Sequence, residues 1–301
     1  MLKTKHHSKQ GRAALLAIAG LIILGVGVSF MIRGTDIALL QPKGRIADEQ
    51  FRLIVTVTGL MLAVAIPSLL VFYSTVWKYR DSNKRSSYEP QAKYGKLFVI
   101  FLWGIPSTIA LSLALLLWPA THRLDPKGAI GSSNPPISIQ VVAMRWKWLF
   151  IYPEQGIATV NYIQVPVNTP IQFDLTADET PMSSFWIPHL GGQLYAMTGH
   201  VNRLNLMADS TGDFTGSTAE INGAGFAGMR FITRSSSEKD FDQWVNTVKN
   251  SSIGLDTTEY NKLLAPSIEN PMQVYSSVDG NLYPNLLTKY AGMHNHQVEQ
   301  Q

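Results

Sequence analysis

Three long apolar runs in the first 118 residues constrain this chain most, because each is long enough to cross a bilayer. They cover residues 13–32, 53–77 and 97–118. A helix of roughly 20 apolar residues spans the hydrocarbon core of a membrane and satisfies its own backbone hydrogen bonds there. The sequence therefore predicts a membrane protein in which residues 35–120 form a transmembrane hairpin from the second and third runs.

Charged residues are distributed unevenly, and they predict the orientation of this hairpin. Residues 1–118 contain 14 Lys and Arg against 5 Asp and Glu, whereas residues 119–301 contain 11 against 16. The basic residues cluster at the N-terminus and between the second and third runs, so both segments are expected in the cytoplasm. The part after residue 118 then lies on the opposite side. It has no basic stripe with aromatic residues, so nucleic acid is not an expected partner.

The first apolar run, within residues 1–34, has two possible roles. A basic start and an apolar core are typical of a secretory signal sequence, and also of an additional transmembrane helix. Ile32 and Arg33 follow the core of the run, and they do not form a small-x-small cleavage site. The pattern favours retention as a helix, and cleavage stays open.

Short segments rich in β-forming residues fill residues 135–235. The predicted strand segments are 137–152, 160–167, 170–177, 183–188, 199–208 and 228–235. Turn residues separate them at 153–156, 167–170, 191–193 and 209–216. Short strands at this spacing are typical of a β-sandwich or barrel.

The periodicity changes to a helical one after residue 235. Ser237 and Asp240 form a predicted capping box, and apolar residues follow it at helical spacing. Two further helices are predicted over 258–264 and 284–290, with Gly292 ending the last one. The sequence therefore predicts a helical, aromatic-rich extension over residues 236–292 and a flexible tail over residues 293–301.

Several unrelated segments carry a family resemblance. Residues 144–161, 183–197 and 223–231 resemble subunit II of the haem-copper quinol oxidases, and of the cytochrome o ubiquinol oxidases in particular. The resemblance runs from about residue 38 to residue 290. It implies a cupredoxin-like fold for the β-rich part, in agreement with the predicted sandwich. It also implies the C-terminal extension that quinol-oxidase subunits II carry.

Residues 216–229 resemble the loop that holds the binuclear copper centre in copper-bearing relatives, with the pattern Cys-x-Glu-x-Cys-x3-His-x2-Met. By this resemblance the copper-ligand positions are replaced, and two loop residues are retained. The replaced positions are Ser183, Thr218, Asn222 and Phe226, and the retained residues are Glu220 and Met229. Copper sites of this kind need thiolate sulfur, and the chain contains no cysteine. The sequence therefore predicts no metal at this loop and indicates the copper-free, quinol-oxidising branch.

The resemblance implies a subunit without catalytic residues or a cofactor of its own. Its complex is expected to oxidise quinol, reduce oxygen to water and pump protons, with the haems and one copper in subunit I. The implied partners are subunit I, the small membrane subunits and membrane lipid, without cytochrome c. The implied location is the bacterial inner membrane, crossed more than once, with the C-terminal domain in the periplasm.

Two other functions stay open. A copper-bearing electron-transfer subunit of a cytochrome c oxidase would require cysteine, which this chain lacks. A free-standing, membrane-anchored binding protein of cupredoxin fold would purify without a haem-containing partner.

The candidate subunit-contact residues are Trp146, Trp148 and Glu154. The two tryptophans are two positions apart in a predicted strand, so their rings are expected on one face. We interpret them as packing or contact residues rather than as an electron relay, because large amphipathic rings suit interfaces.

Five further positions bear on metal binding, lipidation and proton entry. His189, Met197 and His200 would suit a substitute copper site only if they converged, and nothing in the sequence predicts that. Thr35 occupies the position of the family's lipidated cysteine, so lipidation is not expected. Val99 occupies the position of a glutamate thought to feed a proton channel in relatives, which puts that proton route in doubt.

Overall fold

The structure, a computed structural model, describes residues 27, 37–81, 83, 95–180 and 182–298, with side chains described only as far as residue 290. The predicted first span over residues 13–32, apart from Gly27, and Thr35 lie outside the described residues. Whether residues 1–34 are a signal sequence or a helix therefore stays a prediction.

Two long apolar helices form the membrane part. Helix α1 is Arg45–Lys78 and helix α2 is Lys96–Arg123. They contain the predicted spans 53–77 and 97–118, and both are long and apolar enough to cross a membrane. Pro67 lies inside α1, and Pro106 and Pro119 lie inside α2, without ending either helix. Almost all of their apolar side chains are exposed, as expected of helices that face lipid or another membrane subunit.

The rest of the described chain is a β-sandwich with short helices. The strands are β1 Ile137–Met144, β2 Lys147–Tyr152, β3 Ile157–Val160, β4 Tyr162–Pro166, β5 Ile171–Ala177, β6 Met182–Trp186, β7 Leu194–Met197, β8 Asn202–Leu206, β9 Gly212–Thr218, β10 Arg230–Ser236 and β11 Gln273–Tyr275. One sheet has the order β11-β3-β2-β1-β5-β8, and the other has the order β4-β10-β9-β6-β7. The predicted cupredoxin-like sandwich is confirmed.

Backbone hydrogen bonds join the start of α1 to the sandwich. The Lys43 amide donates to the His189 carbonyl at 2.9 Å, and the Ala47 amide donates to the Leu190 carbonyl at 3.1 Å. Gly44 lies between them, and a Cβ there would be 2.6 Å from the Met207 carbonyl oxygen. Only glycine permits this close approach, which holds the helix entry against the sandwich.

Aromatic side chains fill the space between the two sheets. Trp148, Phe150 and Phe173 come from one sheet, and Phe185 and Phe231 come from the other. The Phe185 and Phe231 rings are stacked with centroids 5.1 Å apart, and Trp148 meets Phe185 edge-on at 5.3 Å. Such contacts add to the free energy gained by burying the rings.

The outer face of β1, β2 and β3 is also buried, because the C-terminal segment covers it. Helices α3 Glu238–Lys249, α4 Thr257–Leu264 and α5 Leu282–Val298 follow the last sandwich strand. The contacts on this face form a second apolar cluster. Its members include Val142, Met144, Leu149, Ile151, Val160, Tyr260, Leu263, Tyr275, Tyr283 and Leu286. The six residues of β2 are therefore all buried.

The helix starts in this segment follow ordinary capping chemistry. The Asp240 amide donates to the Ser237 hydroxyl at 3.2 Å, which confirms the predicted cap. Asp256 caps α4 in the same way. The predicted stop at Gly292 is wrong, because α5 continues to Val298. Residues 293–298 of the predicted flexible tail are thus helical, and glycine within a helix interior is tolerated at a modest cost.

Two strand predictions are also wrong. Residues 137–152 are a hairpin rather than one strand, since Arg145 and Trp146 connect β1 to β2. Residues 209–216 are predicted as a turn, but Gly212 onwards forms β9, which pairs with β10 along residues 212–217. The polar, glycine-containing sequence of β9 is compensated by its partner strand, because Phe231 lies directly opposite Gly216.

Gly216→Ala tests this cross-strand arrangement. A Cβ at this position would lie 2.1 Å from Cζ of Phe231, so the ring must leave its stacked position. We expect a loss of about 1–3 kcal/mol, as for other overpacked cores, seen as a lower midpoint of thermal unfolding of the full chain in detergent. Gly280→Ala, where a Cβ meets nothing within 4 Å, is the control. Equal midpoints for the two variants would contradict the packing argument.

Candidate functional site

The copper-type loop closes one end of the second sheet. It starts at Thr218, the last residue of β9, passes through a short 3-10 helix at Phe226–Gly228, and enters β10 at Arg230. The Thr218 amide donates to the Met229 carbonyl at 3.3 Å, and the Ala219 amide donates to the Ser184 carbonyl at 3.0 Å. These bonds bring the loop against β6, where Ser183 lies.

A single side chain, Asn222, joins three of the predicted positions. Its amide nitrogen donates to the Ser183 hydroxyl at 3.0 Å and contacts the Met229 sulfur at 3.2 Å. Thr218 turns to the loop backbone instead, with its hydroxyl 3.4 Å from the Glu220 carbonyl. Hydrogen bonds from this one side chain therefore connect the loop to β6 and to the residue before β10.

Phe226, which is predicted from the resemblance to take the position of the family's histidine ligand, lies partly exposed in the 3-10 helix. The donor set at the loop is thus hydroxyl, amide and thioether, with a phenyl ring in place of an imidazole. A binuclear copper centre needs thiolates, and this set does not fit one. Among the described residues, no group of three or more His, Cys, Asp or Glu could hold a metal ion.

Two acceptor oxygens at the loop are buried without a hydrogen bond from any described residue. They are Oε2 of Glu220 and Oδ1 of Asn222. A buried acceptor without a donor costs free energy. Ile221, which lies between these two residues in the sequence, is 81% exposed. The loop therefore combines buried acceptors with an exposed apolar side chain.

Trp146 covers the loop from the β1–β2 turn. Its backbone has a φ of 63°, in the left-handed region, and its indole nitrogen donates to the Asn222 carbonyl at 3.3 Å. A Cβ on Gly225 would lie 2.4 Å from the indole ring, and Gly223 has a φ of 116°. Gly225 is explained by this close approach, because a side chain there would collide with the indole ring. Gly223 is explained by its positive φ, which residues with a side chain rarely adopt.

The expectation that Trp146 and Trp148 share one strand face is wrong, because Trp146 lies in the turn. Trp148 is completely buried in the aromatic core, so its side chain packs there and presents no surface to another subunit. Glu154 lies exposed in the turn after β2. Trp146 and Glu154 remain predicted contact residues.

The remaining predicted positions lie in several places. His189 is at the junction with α1, and its ring centroid is 5.6 Å from that of Phe214. Met197 ends β7 opposite Met182, and His200 follows in the next turn. Val99 is exposed in the first turn of α2.

Two buried charges that sequence reasoning missed hold the C-terminal segment on the sandwich. The Asp178 carboxylate is fully buried and accepts hydrogen bonds from the Tyr260 hydroxyl at 2.6 Å and the Tyr290 hydroxyl at 2.5 Å. Lys289 donates to it at 2.8 Å. Lys147 donates to the carbonyls of Leu263 and Ala265 at 2.8 and 2.7 Å. No local pattern predicts these contacts, since about 80 to 118 residues separate the partners.

The electrostatics of these two residues follow from their surroundings. Burial opposes ionisation of Asp178, but the hydrogen bonds from Lys289, Tyr260 and Tyr290 outweigh it and hold its pKa below the usual value. Burial lowers the pKa of Lys147. A buried carboxylate that is fully paired stabilises one arrangement of the groups around it.

A β-sandwich with this loop and this C-terminal cover is the domain class of subunit II of the haem-copper oxidases. Residues 154–236 match the family described as cytochrome c oxidase subunit II, periplasmic domain, and residues 249–294 match the COX aromatic rich motif. The chain belongs to the family of ubiquinol oxidase subunit 2 proteins.

Three relatives illustrate this membership. The chain is 45% identical to cytochrome bo(3) ubiquinol oxidase subunit 2 of Pseudomonas putida over 87% of its own length and 83% of that protein. It is 41% identical to ubiquinol oxidase subunit 2 of Acetobacter aceti, covering 88% and 87% of the two chains. It is 33% identical to quinol oxidase subunit 2 of Bacillus cereus, covering 86% and 87%.

Asp178→Asn tests the buried carboxylate. The variant keeps the shape but loses the charge, so we expect a loss of roughly 2–5 kcal/mol at neutral pH. A carboxyl group with a lowered pKa in the folded state stabilises the fold above its unfolded pKa, and this stabilisation is lost as pH falls through the folded pKa. The difference between wild type and variant should therefore shrink in acid.

Thermal unfolding of the full chain in detergent, followed from neutral pH into acid, measures this effect. Asp242→Asn, an exposed position on α3, is the matched control and should differ little from wild type at any pH. If the Asp178→Asn and Asp242→Asn curves coincide, the carboxylate does not hold the C-terminal segment.

Proposed function

We propose that this chain is the membrane-anchored, redox-silent subunit II of a proton-pumping terminal oxidase that oxidises quinol and reduces oxygen to water. Haems and one copper lie in subunit I, and electrons pass from quinol to them without entering this chain. Its role is in the assembly and stability of the complex. Helices α1 and α2 pack on subunit I in the inner membrane, and the sandwich covers the outer face of subunit I in the periplasm.

The observation that carries this proposal is the closure of the copper-type loop by Asn222. The loop resembles the copper loop in sequence, yet its Asn222 amide contacts Ser183 and Met229, and it has no thiolate. Selection for electron transfer would require thiolates. A copper-type loop that lacks thiolates would be retained for the shape of its surface and for the contacts that it makes.

The loop surface supports a subunit contact. Glu220 and Asn222 each have a buried acceptor that no described residue satisfies, and Ile221 between them is exposed. Donors from another subunit would satisfy the acceptors, and an apolar partner would cover Ile221. Trp146, which contacts the loop, extends this proposed interface with subunit I, and Glu154, beyond the other end of β2, is a separate proposed contact. The exposed apolar side chains of α1 and α2 provide the surface for subunit I, the small membrane subunits and lipid.

The order of the segments along the chain and the route of proton entry belong to the same proposal. Residues 1–34 precede a hairpin over 35–120, a periplasmic sandwich over 135–235 and its extension over 236–292. Because Val99 takes the position of the family's glutamate at the start of α2, proton entry through a side chain at this position is not expected in this complex.

A cytochrome c-dependent electron carrier is the competing function, and the oxidase itself distinguishes the two. The assembled complex, purified through a tag on this chain, should contain haem and consume oxygen with a reduced quinol. Reduced cytochrome c should not support oxygen consumption. Purification without haem would favour the free-standing binding protein, and a rate with cytochrome c would favour the electron carrier.

Met229→Leu and Gly44→Val separate a mechanical role from an electronic one. Leucine conserves the volume of the buried methionine, so the quinol oxidase rate of Met229→Leu should stay within about twofold of wild type. Gly44→Val places side-chain atoms on the backbone of Leu190 and Met207, so it should reduce the yield of assembled complex. A large loss of rate in an assembled Met229→Leu complex would contradict the proposal.

A further inference from the structure

A cavity of about 280 Å³ lies between α1 and α2 at the end of the hairpin nearest the sandwich. Its lining includes Glu49, Arg52 and Leu53 of α1 and Leu116 and Arg123 of α2. Glu49 and Arg52 come just before the apolar run of α1, and Arg123 follows that of α2. One end of the cavity is therefore charged, and the other is apolar.

The position of this cavity matches the boundary between headgroups and hydrocarbon in a bilayer. The start of α1 is fixed to the sandwich through Lys43 and Ala47. The segment after α2 is fixed by the Asn205 amide, which donates to the Pro126 carbonyl at 2.9 Å. Both helix ends are thus held at the sandwich side of the membrane, and the gap between them opens where lipid headgroups lie.

The charges of the cavity are incompletely paired within the chain. Arg52 is bonded through Nε to Asp48 at 2.8 Å, and 77% of its side chain is exposed. Among the described residues, Glu49 and Arg123 form no ion pair. Two guanidinium groups beside one carboxylate suit a ligand that carries both an anion and a cation.

We propose that this cavity binds the headgroup of a phospholipid that carries a phosphate and a primary ammonium, as phosphatidylethanolamine does. Arg123 and Arg52 hold the phosphate, because a guanidinium can donate two parallel hydrogen bonds to phosphate oxygens. Glu49 accepts hydrogen bonds from the ammonium. The acyl chains lie along the apolar surface that starts at Leu53 and Leu116.

Three lipids with matched chains test this assignment on the assembled wild-type complex. Phosphatidylcholine has a cation that cannot donate hydrogen bonds to Glu49, and phosphatidylglycerol has no cation. After incubation with each lipid and repurification in detergent, retained lipid is counted by mass spectrometry. Phosphatidylethanolamine should be retained roughly tenfold more tightly than the other two, the factor expected for one charge-assisted hydrogen bond. Equal retention of the three lipids would overturn the proposal.

Variants locate the binding. Arg123→Gln should lower retention of phosphatidylethanolamine roughly tenfold, whereas Arg80→Gln, beyond the opposite end of α1, should not change it. Glu49→Gln should keep phospholipid binding but abolish the preference for the ethanolamine headgroup over the glycerol one. Equal retention by Arg123→Gln and Arg80→Gln would overturn the site.

The other possible occupant is a side chain of a partner subunit, and the same measurements distinguish it. In that case the wild-type complex would show no headgroup preference, and Arg123→Gln would release subunit I without changing the lipid count, which overturns the proposal. Should Arg123→Gln fail to assemble, the lipid comparison on wild type and on Glu49→Gln still decides.

Discussion

The burial of β1 and β2 on both faces is the constraint on which the rest of the structure depends. One face lies in the aromatic core with Phe185 and Phe231, and the other lies under α4 and α5, with Tyr275 of the edge strand β11 beside them. A sandwich strand ordinarily alternates between buried apolar and exposed polar residues. Here β2 is buried throughout, so the C-terminal segment is an integral layer of the domain. Lys147 and Asp178 lie at the edges of that layer and fix its position with directional bonds.

Hydrogen bonds from two side chains hold the copper-type loop in place. The amide of Asn222 connects the loop to Ser183 on β6 and to Met229 before β10, and Trp146 covers the loop. Each of these hydrogen bonds is far weaker than a metal–thiolate bond. The stability of the domain therefore depends on the aromatic core and the C-terminal layer rather than on the loop.

Sequence reasoning succeeded where a signal is local. The two spans follow from length and composition alone, and the cap at Ser237 follows from a four-residue pattern. Prediction from the sequence failed where residues distant in the chain determine the conformation. Strand β9 has a turn-like composition, but side chains of β10 favour its pairing: Phe231 lies opposite Gly216, and Arg234 forms an ion pair with Asp213 at 2.6 Å. Trp146 adopts a left-handed backbone because the hairpin turn requires it. No periodic pattern in the sequence predicts the hydrogen bonds of Asp178 with Tyr260, Lys289 and Tyr290.

The late position of the third layer in the chain has a consequence for biogenesis. Until residues 257–290 have been synthesised and have folded onto the sandwich, the outer face of the β1–β2 hairpin presents an apolar strand surface to water. Synthesis adds roughly 5–20 residues per second, so a nascent chain exposes this apolar surface for several seconds. Export factors that shield it, or delayed collapse of the sandwich, would protect the chain from aggregation during that interval.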